Sequence, residues 1–86
     1  MNKKIDAKVF GIAGKTIIEE IGENAYAIVI DRKSRIIMSD GIKILEKAEK
    51  IRAVMNEAEV SLITSAPVCS KTLTFFQEHG IMLKEL

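Results

Sequence analysis

The stretch Gly11-Ile12-Ala13-Gly14-Lys15-Thr16 holds the residue types that cradle phosphate: small residues exposing backbone amides, a lysine cation and a hydroxyl able to reach magnesium. Asp31, at the end of an apolar run, stands where such a protein places its second magnesium contact. The full motif has a glycine five residues before Gly14, and this chain has Val9 there. The plainer reading makes the glycines a turn and Thr16 a helix cap. Cys69 follows Pro67 near the start of an apolar segment, where a helix dipole lowers a thiol pKa. His79, the only histidine, lies at the other end of that segment. In a helix the separation is about 15 Å of rise, so the two form no dyad within one chain. The plainer reading is a small buried thiol and a helix-terminal histidine. One cysteine and one histidine fall short of a zinc ligand set, so no metal is expected.

Asp31-Arg32-Lys33 resembles the acid-x-lysine tail of restriction-type nucleases, whose carboxylates hold magnesium. That chemistry needs a second acid on a neighbouring strand, and Glu23 and Asp6 are the upstream strand-flanking choices. Without it, Asp31 begins a solvated loop. In Ser39-Asp40-Gly41, Ser39 or Asp40 would cap a long helix, and the free amides there favour an anion. A hydroxyl exposed at that place is also a phosphorylation candidate, since the helix tolerates added negative charge. Simple capping is the plainer reading.

These residues need elements to position them. Ile5, Val9, Phe10 and Ile12 suggest a strand from about Lys4 to Ile12, ended by Gly11 and Gly14. Thr16 and Glu19 have capping-box spacing, and Ile17, Ile18 and Ile21 form a short stripe, so a first helix is expected before Gly22. Ala25 to Ile30 is a near-continuous apolar run that suits a strand covered on both faces. Ile36 to Met38 extends it, pairs with it or leads into the next helix.

Ile42, Leu45, Ala48, Ile51 and Met55 recur at helical steps, with Ile44 and Val54 widening the stripe. Val60 to Ile63 reads as a strand, and Pro67 suits the first turn of the following helix. That helix carries Val68, Leu73, Phe75 and Phe76 and ends at His79-Gly80. Ile81 to Leu83 reads as a short last strand, and Met38, Met55 and Met82 as core filler. The order β-α-β-(β)-α-β-α-β predicts a single α/β domain over 1–86, with a mainly parallel or mixed sheet of four to five strands flanked by helices.

Composition narrows the class of function. The chain has 86 residues, 48% of them hydrophobic, and thirteen basic against twelve acidic residues give a net charge of +1. That balance argues against a strong non-specific hold on nucleic acid. A lone cysteine suits a reducing compartment, no run reaches the roughly 18 apolar residues of a membrane span, and the first residues lack the apolar region of a secretory signal. A cytoplasmic protein is expected.

Ala27-Ile28-Val29-Ile30-Asp31, Ile37-Met38-Ser39-Asp40-Gly41-Ile42, Val60-Ser61-Leu62-Ile63 and Ser65-Ala66-Pro67-Val68 together resemble the STAS-domain group, the fold of anti-sigma-factor antagonists and of domains appended to anion transporters. The resemblance spans residues 25–86. It implies a non-enzymatic interaction or regulatory module, with the phosphorylatable serine of the family falling on Ser39. The family's aspartate is Met38 here and its second serine is Asp40. The partner surface would comprise Ser39, Asp40, Gly41, Lys43 and Lys47, and the partner would be a protein. An exposed edge strand would also allow a homodimer. No cofactor is expected under this reading. The alternative is a phosphate or nucleotide binder using Gly11, Gly14, Lys15, Thr16 and Asp31, and a third reading is a degenerate nuclease-like domain.

Overall fold

A computed structural model describes residues 2–86. Strand β1 (Lys3–Ile5) leads into a single 3-10 turn over Ala7–Phe10. Strands β2 (Ile17–Gly22) and β3 (Ala25–Ile30) follow as a hairpin, then helix α1 (Met38–Val54), strand β4 (Glu59–Thr64), helix α2 (Ser70–Glu78) and strand β5 (Ile81–Glu85). The five strands form one mixed sheet in sequence order, β1-β2-β3-β4-β5. The pairs β1–β2 and β2–β3 are antiparallel, and β3–β4 and β4–β5 are parallel. The domain is thus α/β, with two antiparallel strands added to a parallel βαβαβ unit.

The N-terminal third departs from expectation in two places. The strand expected from Lys4 to Ile12 stops at Ile5. Asp6 accepts a hydrogen bond from the Lys8 amide and nucleates the 3-10 turn, which Gly11 closes at φ 72°, a conformation that suits glycine. The turn buries Ala7 and Phe10, and Phe10 meets Tyr26 edge-on at 5.5 Å. The helix expected after Thr16 is β2. Its isoleucines are β-branched and favour a pleated surface. Ile18 pairs with Ile5 on one side and Ile28 on the other, which no isolated two-turn helix could match. Gly22 therefore ends a strand rather than capping a helix. Asn24 takes the left-handed turn position at φ 53°.

Side chains alternate across the sheet, so the paired residues Ile5, Ile18, Ile28 and Leu62 share a face. Ile44, Ala48 and Ile51 of α1 and Phe76 of α2 belong to the same buried cluster. Both helices therefore pack on that face. The reverse face carries Ile17, Val29 and Ile63 side by side, and Ile17 is exposed.

Helix α1 turns most of its expected stripe inward, with Leu45 and Met55 packed partly buried against the core, and departs from it at Ile42 and Val54. Gly41, Ile44, Ala48 and Ile51 are buried, whereas Ile42 and Val54 are each about half exposed (49% and 52%). At the start of the helix the buried position is Gly41. A Cβ built there would lie 2.9 Å from Thr72 Cγ2, with Phe75 and Phe76 close behind. Absence of a side chain lets the first turns of α1 and α2 meet at this point. Met82 is likewise exposed rather than core filler, on the open edge of β5.

Candidate functional site

The carboxyl ends of parallel strands are where open α/β sheets place their ligands, because the loops and helix N-termini gather there. In this fold Asp31 follows β3 and Ser65 follows β4 at that end, and each loop feeds a helix. The Ser65 hydroxyl donates to Asp31 Oδ1 at 2.6 Å. Ile36 and Val68 form an isolated parallel bridge: the Ile36 amide donates to the Pro67 carbonyl at 2.9 Å and the Cys69 amide to the Ile36 carbonyl at 3.0 Å. Ile36 to Met38 is thus neither an added strand nor an extension of β3. One residue bridges the two loops, and Met38 opens α1. The bridge holds the starts of the two helices side by side.

Arg32 organises the α1 side. Its guanidinium donates to the carbonyls of Ser34 and Arg35 and grips Asp40 Oδ2 at 2.7 Å. Asp40 also accepts the Ile37 amide at 3.0 Å. The expected cap moves accordingly. Neither Ser39 nor Asp40 is the N-cap; Ile37 is, and Asp40 reaches back to it from the third helical position. The Arg32 guanidinium, followed by the Ile37 amide, holds the Asp40 carboxyl below its ordinary range. Ser39 is left exposed in the first turn, and Ile37 and Ile42 are each 49% accessible. Lys43 lies exposed one turn further on. Gly41, expected at this surface, is buried against α2.

Lys47 stands about 12 Å along the helix from Ser39. It lines a hollow of about 250 Å³ with Lys15, Thr16, Ile17, Val29 and Ile30. The structure thereby joins Lys47 to two residues of the candidate phosphate loop. The rest of that loop is differently engaged. The Gly11, Ile12 and Thr16 amides donate to the carbonyls of Lys8, Ala7 and Ala13, so they do not face a ligand. The Gly11 carbonyl accepts from Lys50, Gly14 sits against Lys8, and a strand rather than a helix follows Thr16. Asp31 is turned to Ser65.

Neither acid offered for the nuclease pattern stands beside Asp31. Glu23 lies in the turn before β3, roughly 20 Å from Asp31 by strand rise, and Asp6 caps the 3-10 turn. Among the described residues no three His, Cys, Asp or Glu side chains cluster as a metal site would require.

Cys69 is itself the N-cap of α2, so Pro67 stands before the helix rather than in its first turn. Its side chain makes no cap hydrogen bond to the helix. The Lys71 and Thr72 amides, then the Thr72 hydroxyl and Arg35, hold the thiol below its ordinary range. Cys69 is half-buried, not fully enclosed. His79 caps the far end of α2 and packs on Phe75 at 4.6 Å.

The sequence names Arg32 in the Asp31-Arg32-Lys33 run and Ser65 in the Ser65-Ala66-Pro67-Val68 stretch but not their partners Asp40 and Asp31, because the two loops meet only in the fold. Thr72 of α2 carries no signal in the sequence; it stands out by its burial against Gly41.

No family model, no curated protein and no solved structure matches the chain. No helix among the described residues is long and apolar enough to cross a membrane.

Proposed function

We propose that the protein is a non-enzymatic interaction module of STAS-like type whose partner, another protein, docks on the first turn of α1. The observation that carries this reading is the exposure of Ser39 and Ile42 together at the carboxyl end of the parallel strands. Ser39 and the half-exposed Ile42, three residues apart, are neighbours on the helix surface, which sets an apolar contact beside a polar first turn. Arg32 and Asp40 lock the turn, so little order has to be gained on binding. A phosphate on Ser39 would sit on the N-terminal amides of α1, near the basic loop 32–35, and would replace an apolar contact with charge. That is how a partner would be released.

The test is affinity capture in the source cells with the native chain and with Ile42→Glu and Ser39→Asp as baits. One protein retained by the native chain and lost with both variants is expected. Identical capture by all three baits would sink the reading, as would turnover of a substrate at this end of the sheet.

A second reading rests on a separate observation, the convergence of Lys15, Thr16 and Lys47 on one hollow. Here an anion is held by side chains rather than by an amide cradle. The open edge of β5, with Met82 and Leu83 exposed, is where a second copy would add if the chain forms a homodimer.

A further inference from the structure

The two edges of the sheet are built differently. Strand β1 has three residues, and its Lys3 and Lys4 are exposed, a guard against pairing with another strand. Strand β5 is longer, and Met82 and Leu83 stand 56% and 40% exposed on it without such a guard. The Leu86 amide donates inward to the Thr64 carbonyl at 3.2 Å. Strand alternation then turns the amides and carbonyls of Ile81, Leu83 and Glu85 outward, along the open edge. Between α2 and that edge, Leu73, Gln77, Gly80, Ile81, Met82 and Leu83 line a hollow of about 530 Å³.

We propose that β5 pairs antiparallel with β5 of a second copy, joining the two sheets into one across a two-fold axis at Met82. Two identical edges related by such an axis run antiparallel, and the residues choose the register. With Met82 opposite Met82, Ile81 and Leu83 of opposite copies exchange both backbone hydrogen bonds, and apolar residues meet apolar ones from Ile81 to Leu83. Leu83 of the second copy then lies across from Ile81 on the helix-covered face, at the hollow beside Leu73 and Gln77. Glu85 of the second copy comes beside His79, one residue from Gly80, whose carbonyl accepts from the Arg52 guanidinium at 3.1 Å, so an acid approaches a cation. The two neighbouring registers that also pair the outward-facing groups are poorer. One sets Lys84 against Lys84, and the other sets Lys84 against Met82 and Glu85 against Ile81. This self-matching is what makes the occupant a second copy. One strand and one helix flank make a contact smaller than the standard interface of roughly 1,200–2,000 Å², so the dimer forms and dissociates with concentration. The inference deepens the homodimer reading of β5 and is independent of the partner surface at α1.

Sedimentation equilibrium of the intact chain, from micromolar to millimolar concentration, should show monomer giving way to dimer. Met82→Lys sets two lysines against each other at the axis and should stay monomeric over that range; Met82 is more than half exposed, so the fold does not depend on it. Val9→Lys changes a similarly exposed apolar residue in the 3-10 turn and should dimerise as the native chain does. Disulfide trapping in a Cys69→Ser background reads the register. The Met82 pair would have a Cα separation of about 4.5 Å, within the span of a disulfide. Met82→Cys should therefore give a linked dimer under mild oxidation several-fold faster than Lys84→Cys, whose position faces Gly80 of the second copy. Monomer at every concentration would overturn the inference and the homodimer reading together. A dimer that persists in Met82→Lys, or faster linking at position 84 than at position 82, would overturn the edge pairing and point to a homodimer built on another surface.

Discussion

Gly41→Ala pits two effects of similar size against each other at the contact between α1 and α2. Alanine is favoured over glycine inside a helix by about 1 kcal/mol, largely because the unfolded chain loses less freedom. Against this, the added methyl would sit 2.9 Å from Thr72 Cγ2. Thr72 is wholly buried and β-branched, so it has no free rotamer to retreat into. Overpacking of this kind costs about 1–3 kcal/mol. With the steric cost taken at about 2 kcal/mol, Gly41→Ala destabilises by about 1 kcal/mol, or a fall of about 4–8 °C in Tm for a domain of this size. Thr72→Ser removes the opposing methyl and costs about 1 kcal/mol through the lost burial. In that background the clash is gone and only the helical preference remains, so Gly41→Ala should stabilise by up to about 1 kcal/mol. The coupling energy of the pair is then about 2 kcal/mol, well outside the additivity expected of independent sites. Urea denaturation of the four proteins, with the slope checked for constancy, measures it. Additive effects, or a stabilising Gly41→Ala in the native background, would refute the claim that the missing side chain at Gly41 lets α1 and α2 meet.

Other outcomes follow from the same contacts. Thr72→Val should raise stability by about 1 kcal/mol, because it deletes a buried hydroxyl that has no partner; a loss measured by urea denaturation would show that the hydroxyl is satisfied. Asp40→Asn should cost under about 1 kcal/mol near neutral pH, since the Arg32 pair is partly exposed. The Asp40 pKa is lowered in the fold from 3.8, so its contribution is present above that value and is lost as pH falls through the lower folded value. The gap between native and Asp40→Asn stability should therefore close in acid. If the hollow beside Lys47 holds an anion, inorganic phosphate should shift the amide resonances of Lys15 and Thr16 saturably, and Lys47→Ala should abolish the shift; unmoved resonances count against that second reading.

The parallel half of the fold was legible because its signals agree. Val60 to Ile63 and Ala25 to Ile30 are apolar runs of strand length, the periodicity over 42–55 is helical, and His79-Gly80 stops α2 where expected. The N-terminal third misled because local cues and tertiary pairing conflict there. Thr16 and Glu19 have helical spacing, but a run with three isoleucines gains more from pairing with β1 and β3 than from two unsupported helical turns. In α1 the stripe was legible through Ile44, Leu45, Ala48, Ile51 and Met55 and failed at its ends, where Ile42 and Val54 are exposed. Burial of Gly41 has no apolar signature, because its contact with Thr72 depends on the missing side chain. The same limit applies to the site. Ser39 and Cys69 stand out by type, but Arg32 on Asp40 and Ser65 on Asp31 are joined by loop geometry that no local pattern encodes.

Site-specific photo-crosslinking in the source cells bears most directly on the partner surface at α1. A photoreactive residue at position 42 would sit in the exposed patch beside Ser39, and one at position 57 would sit in the turn before β4, at the opposite end of the parallel strands. The account predicts one discrete crosslinked product from position 42, carrying a single second protein, lost with Ser39→Asp and absent from position 57. The same product from both positions, or none from position 42, would contradict it.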